Sequence, residues 1–180
     1  MAQQESAGRR GFLPDKRPLI LFEAHKFSFL TKNRFDRSHT NISSPSWNRA
    51  LYKGGAGEYD RLAVAVHLDR VSALRAASWG MFQILGDNHA SAGYGDVEAY
   101  VAAMCDSEGN HLQAFVTFVQ KDSILLRALQ RLDWARFAAR YNGPSYRANQ
   151  YDRHMALFYK RFRADTSWLG SAPQGGGRRP

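Results

Sequence analysis

Apolar positions in this chain recur mostly at helical spacing. Leu19 to Leu30, following Pro18 at a first helical position, is apolar on most faces and predicts a buried helix. Residues 31–57 break that rhythm. Their Asn, Asp, Ser, Pro and Gly content, with Ser43-Ser44-Pro45 and Gly54-Gly55-Ala56-Gly57, predicts loops and a short hairpin. From Glu58 to Ala76, Leu62, Ala65, Val66, Leu68 and Leu74 return at roughly helical intervals and predict a second helix. Ser78 is placed to cap a short helix through Leu85, and Asp96 to cap one over Val97 to Cys105. Asp122 and Asp133 suit two more, beginning at Ser123 and Trp134. Leu112, Phe115, Val116 and Val119 form another turn-spaced stripe. After the Asn142-Gly143-Pro144 break, Tyr151, Met155, Phe158, Tyr159 and Phe162 fall on one side of a last helix. The predicted fold is all-α, about seven helices packed orthogonally, with one small irregular or β-hairpin lobe near residues 31–57.

The ends lack any such pattern. Residues 1–16 are polar without periodicity and 170–180 are Gly-rich and basic, so both are expected to be flexible. No repeat or low-complexity linker divides the remainder, which leaves one domain over 17–169. A chain of 180 residues is long enough to bury an ordinary core. Hydrophobic residues at 44% and aromatic residues at 13% are too abundant for intrinsic disorder. A mean hydropathy of −0.49, with no apolar run near membrane-spanning length, indicates a soluble protein without a membrane span. Cys105 is the sole cysteine, so packing rather than disulfides must hold the fold, and in an apolar helix it is expected to be an inert packed thiol. The N-terminal stretch has no apolar core of the kind a Sec-type signal peptide needs.

Charge narrows the partners. The formal net charge is +9 and the sequence pI about 10.0, and the basic excess persists when both ends are set aside. Such a surface attracts nucleic acid, anionic membrane or an anionic polymer such as a bacterial wall. The 19 arginines do not cluster beside an aromatic platform and no nucleic-acid motif appears, so a nucleic-acid-binding module is the weaker reading. His25, His39, His67, His89, His111 and His154 form no HxxxH-type ligand pair, which argues against a metal centre; no cofactor is expected.

Glu23 is the first residue that points to chemistry, because it interrupts Leu19-Ile20-Leu21-Phe22. A carboxylate against an apolar surface loses solvation when ionised, which favours the protonated form and suits such a group to general-acid work. Pairing with Lys26 or Lys53 is the structural alternative. Glycoside cleavage commonly needs a second carboxylate, to attack the sugar or to position a water. Asp36, in Asn33-Arg34-Phe35-Asp36-Arg37, is the best candidate, its flanking arginines favouring the ionised form or else making a surface ion pair. Glu58, Asp60 and Asp87 read as caps or solvent-facing positions. His25, two residues past Glu23 on one helix, is expected to point to the opposite side.

Two further segments complete a set. Ser78-Trp79-Gly80-Met81-Phe82-Gln83-Ile84 offers a Gly for close backbone approach and an amide for a sugar, and Tyr141-Asn142-Gly143-Pro144 places a phenol and an amide beside a sharp turn. Singly each is more often structural, with Asn142-Gly143 a helix stop. Together with Glu23 they resemble the lysozyme superfamily. More narrowly, Phe22-Glu23-Ala24-His25-Lys26-Phe27, Ala77 through Gly86, and Tyr141 through Tyr146 with Asn149 and Tyr151 are similar to the N-acetylmuramidase domain of endolysins from phages of Gram-negative bacteria, over about residues 17–165.

That resemblance implies a lysozyme-like helical fold and cleavage of the β-1,4 bond between N-acetylmuramic acid and N-acetylglucosamine in peptidoglycan. It puts Glu23 at the catalytic acid position and Ser78, Gln83, Tyr141 and Asn142 along the glycan cleft. The Glu23-to-Asp36 interval is similar to that of goose-type lysozymes, which implies a water-positioning role for Asp36. It further implies a monomer that accumulates in the host cytoplasm, reaches the periplasmic wall at lysis and acts on the anionic envelope. A lytic transglycosylase, which shares the fold and the single Glu but forms 1,6-anhydro ends, is the alternative within the superfamily.

Overall fold

The computed structural model describes residues 11–165; the expected flexible tail at 170–180 and the first ten residues of the expected N-terminal segment lie outside them. The chain groups into two compact units, Met1–Leu126 and Arg127–Pro180. Among the described residues there are eight α-helices and one small sheet, the predominantly helical architecture the periodicity predicts.

The first unit begins with β1 (Ile20–Phe22) and α1 (Ala24–Leu30), where a single helix over Leu19–Leu30 is predicted. The correction has a tertiary cause. A three-residue apolar run suits a buried strand as well as a helix, and a partner strand is present: β1 pairs antiparallel with β2 (Ala77–Trp79), setting Ile20 against Trp79 and Phe22 against Ala77. β2 turns back into β3 (Ile84–Leu85), giving the sheet order β1-β2-β3.

The helix predicted from Ser78 to Leu85 is therefore a hairpin. Gly80, at φ +70°, takes the left-handed backbone of its turn, and the Gly80 N–H donates to Leu19 O at 2.7 Å. The hairpin expected within 31–57 is absent from the described residues there, which form turns and a short 3₁₀ segment, Arg49–Leu51.

The helix predicted over Glu58–Ala76 divides into α2 (Gly57–Leu68) and α3 (Arg70–Arg75). Asp69 breaks it: its backbone is extended and its side chain accepts the Ser72 N–H at 3.0 Å, a cap that starts α3. Beyond the 3₁₀ turn at Gly86–Asn88 come α4 (Val97–Asp106) and α5 (Glu108–Lys121). Asp96 caps α4 as expected.

In α5 the buried face is His111, Ala114, Phe115 and Val119, whereas Leu112 and Val116 of the predicted stripe are exposed. Phe82 stacking on Phe115, with ring centroids 4.3 Å apart, turns the helix this way. Cys105 is exposed rather than packed, because its neighbour Met104 takes the inward position on α4. Gly11 and Phe12, within the expected N-terminal segment, are tied down: the Gly11 N–H donates to Glu108 Oε1 at 2.7 Å and Phe12 stacks on His111. Phe22 and Phe27 are completely buried, each contributing about 1.5–3 kcal/mol of hydrophobic stabilisation.

α6 (Ser123–Gln130) runs across the boundary between the units, started by Asp122, whose Oδ1 accepts the Ile124 and Leu125 N–H groups. The second unit continues with α7 (Trp134–Asn142), a 3₁₀ turn at Pro144–Arg147, and α8 (Tyr151–Ala164). Asp133 caps α7, and Gly143 at φ +80° ends it, the helix stop expected of Asn142-Gly143. On α8, Met155 is buried while Phe162 of the predicted apolar side is 57% exposed.

Candidate functional site

Glu23 lies at the junction of strand and helix rather than inside a helix. Its backbone is extended (φ −98°, ψ 94°), its N–H donates to Ala76 O at 3.0 Å, and its carbonyl accepts the N–H groups of Lys26 and Phe27 in the first turn of α1. The residue is thus fixed from the hairpin side and the helix side together. Although it holds the N-cap position, its carboxylate makes no capping bond and turns elsewhere.

It turns into a cleft of about 520 Å³ lined by Leu21, Glu23, Trp47, Arg49, Tyr52, Lys53 and Gly54. There Tyr52 Oη donates to Glu23 Oε2 at 2.6 Å. Burial, reinforced by this bond, pushes the Tyr52 phenol well above its ordinary range, so it stays a donor at any pH of interest. His25 Nδ1 lies 3.3 Å from the same oxygen, contrary to the expectation that it faces away: because Glu23 precedes the helix, the i,i+2 rule for helical side chains does not govern the pair. Burial lowers the His25 pKa against the pull of Glu23, which favours the neutral ring. Oε1 of Glu23 has no hydrogen-bond donor among the described residues. The Glu23 side chain keeps 18% of its surface, enough to face the cleft. The alternative pairing of Glu23 with Lys26 or Lys53 does not occur.

The other expected site residues have these positions. Asp36 belongs to its own cluster, its Oδ2 accepting the Ser28 hydroxyl at 3.0 Å and its Oδ1 accepting that of Ser43. Both serines are buried, so Asp36 ties α1 to the segment that follows it. Arg34, one of the two arginines expected to flank Asp36, pairs with Asp69 instead, at 2.9 Å. Ser78 stands in β2 between Leu21 and Leu85. Gln83, at φ +51°, donates its Nε2 to Gly80 O at 2.8 Å and Leu19 O at 3.2 Å, which holds the hairpin turn on the chain entering β1. Tyr141 and Asn142 lie in the second unit at the end of α7, where the Tyr141 ring stacks on Phe137 at 5.6 Å.

Two residues were missed by sequence reasoning. Tyr52 carried no signal, since nothing in a loop of mixed composition ties it to an acid 29 positions away. Glu58, read as a cap or solvent-facing residue, is completely buried: its Oε2 accepts the Arg61 Nη1 at 2.8 Å and the Phe22 N–H at 3.1 Å, and its Oε1 accepts the Lys53 and Gly54 N–H groups at 2.6 and 2.9 Å. The Glu58-to-Arg61 spacing, one helical turn, was the available clue. Leaving either charge unpartnered at such depth typically costs about 3–5 kcal/mol.

A small antiparallel sheet set among helices, with one acid where the first strand becomes the first helix and aromatic and cationic groups around it, defines a lysozyme-like helical protein. The chain belongs to the N-acetylmuramidase family, whose model matches residues 1–163. Among solved structures, the crystal structure of the Burkholderia AP3 phage endolysin matches with a TM-score of 0.80 and 40% sequence identity, over 90% of this chain. The chain spans 62% of the length of that endolysin. No curated protein matches it.

Proposed function

We propose that this protein is a peptidoglycan hydrolase of the endolysin type. It cleaves the β-1,4 bond between N-acetylmuramic acid and N-acetylglucosamine during phage lysis of a bacterial host, with Glu23 as the general acid and 17–169 as the catalytic domain. The observation that carries this reading is the Glu23 carboxylate, held through Oε2 by Tyr52 at the rim of an open cleft, with Oε1 left to face a glycan. An acid works in glycoside cleavage when it is fixed within hydrogen-bonding reach of the leaving oxygen, and anchoring one oxygen aims the other. Trp47, 58% exposed beside the acid, offers an aromatic face for a sugar ring. Ser78, Gln83, Tyr141 and Asn142 are assigned to further glycan contacts. In the second unit a surface groove lined by Arg127, Arg131 and Arg136, against the single carboxylate of Asp133, supports attraction to the anionic envelope. No helix among the described residues is long and apolar enough to cross a membrane. We assign the protein to the host cytoplasm until lysis, as a monomer.

In the hydrolytic scheme Asp36 positions the attacking water. One observation favours the second reading, a lytic transglycosylase: among the described residues lining the cleft, Glu23 is the sole carboxylate, while both Asp36 oxygens accept serine hydroxyls. A transglycosylase needs no water-positioning carboxylate, because the muramyl hydroxyl attacks within the substrate. Mass spectrometry of the released muropeptides separates the two, since reducing muramic ends mark hydrolysis and ends lighter by one water mark transglycosylation.

Glu23→Gln tests the shared core of both. It keeps the shape but removes the transferable proton, and should abolish turbidity loss on outer-membrane-permeabilised cells with wall binding and melting temperature nearly intact. Retention of most activity would overturn the assignment.

A further inference from the structure

The two residues that meet in the cleft sit on separate stretches of chain, and one buried carboxylate holds both stretches. Glu58, on the first turn of α2, accepts the N–H of Phe22, the residue before Glu23, and the N–H groups of Lys53 and Gly54, the two residues after Tyr52. Arg61, one turn further and itself 4% exposed, completes the arrangement. Its Nη1 donates to Glu58 Oε2 at 2.8 Å and to Phe22 O at 2.9 Å, and its Nη2 donates to Asn41 O at 3.1 Å. Its guanidinium also lies over the Phe22 ring, 5.1 Å from the centroid, and 5.9 Å from that of Tyr52.

We infer that Glu58 and Arg61 are positioning residues for the acid: the pair fixes the backbone on both sides of the Glu23–Tyr52 hydrogen bond and so sets the direction in which Glu23 presents Oε1. Three features support this over a purely stabilising role. A buried ion pair is a weak stabiliser compared with well-packed apolar residues, so its presence calls for another explanation. Every accepting position that Glu58 uses, apart from its bond to Arg61, is spent on backbone within one or two residues of Glu23 or Tyr52. Its charge is also needed at that place: a carboxylate accepts from three N–H groups and a guanidinium at once, which an amide, donating through its nitrogen, cannot do. The pair does not touch the cleft side of Glu23; it acts through the chain.

This inference rests on the assignment of Glu23 as the acid, and the experiment keeps the two apart. Rates of wall clearing are measured for the full chain, per folded molecule and well below the melting temperature, for the wild type, Tyr52→Phe, Glu58→Gln and the double variant, with Glu23→Gln alongside. Glu58→Gln should lower kcat by roughly tenfold or more at little cost in KM. Tyr52→Phe should then have at most a third of its wild-type effect in the Glu58→Gln background, because the hydrogen bond it removes is already misplaced. A merely structural Glu58 leaves the two effects multiplicative, and that result overturns the inference while the acid assignment stands. An active Glu23→Gln removes the assignment whatever the cycle shows. Should Glu58→Gln not yield folded protein, the same cycle is run on Glu58→Asp, which keeps the charge and shortens the reach by one methylene; the same loss of coupling is expected, and multiplicative effects again overturn the inference.

Discussion

Tyr52 donates a 2.6 Å hydrogen bond to Oε2 of Glu23, joining a loop to a strand–helix junction 29 residues away. The donor is a phenol that burial keeps protonated, so the bond persists across the working pH range and immobilises one oxygen of the acid.

Removal of that donor is the first prediction. As Glu23 gives up its proton it becomes a carboxylate, and a hydrogen bond to such a charged group contributes about 1.5–3 kcal/mol, equivalent to roughly 10–150-fold in rate. Tyr52→Phe should lose activity in that range mainly through kcat, since the phenol holds the acid and not the sugar. An unchanged kcat in a clearing assay would show that the acid does not need this anchor.

Asp36 supports a prediction about stability. Alanine there leaves the Ser43 hydroxyl, 1% exposed, without the carboxylate that accepts from it, whereas the Ser28 hydroxyl keeps Asn33 Oδ1 as an acceptor at 2.9 Å. About 1–2 kcal/mol should be lost, which for a chain of this size lowers Tm by roughly 2–8 °C. Calorimetry showing no change would mean the cluster is dispensable to the fold.

His111 makes stability depend on pH. It is buried, its Nε2 lies 2.7 Å from Met104 O, and its Nδ1 accepts the Met81 N–H at 3.2 Å, an arrangement that requires the neutral ring. Burial holds its pKa below the usual value of 6.5. The unfolded chain therefore takes up the proton first as pH falls, so the stability is fully present at neutral pH, declines below about 6.5 and levels off once the folded ring also titrates. Melting temperatures followed from pH 7 to 5 should fall in the wild type and fall less in His111→Gln, with His25, also lowered by burial, supplying part of the remainder. Parallel curves would exclude His111 as a source.

Gly86 is required by close packing. A Cβ there would lie 2.1 Å from Leu74 O, the carbonyl that also accepts the Trp79 indole N–H at 3.1 Å. Both contacts seat the hairpin on the end of α3. Gly86→Ala should cost about 3 kcal/mol and lower Tm by roughly 6–12 °C, read by thermal denaturation; a melting curve like that of the wild type would show that the backbone can move aside cheaply.

What the sequence determined by itself was local. Asp96, Asp122 and Asp133 announce helix starts because a cap needs only the next two or three N–H groups, and Gly143 announces a stop because a left-handed residue needs only itself. Glu23 stood out because an acid amid Ile20, Leu21 and Phe22 violates the local pattern. Tertiary structure decided the rest. An apolar triplet has no preference of its own between strand and helix, so Ile20–Phe22 became a strand only because Ala77–Trp79 came to lie beside it. Glu58 looked solvent-facing until Arg61 and three backbone N–H groups, from stretches up to 36 positions away, gathered around it. Tyr52 had no reason to be noticed until the fold brought it to Glu23. Hydrogen bonds between distant segments leave no periodic trace in a chain, and in this protein those are the bonds that build the cleft.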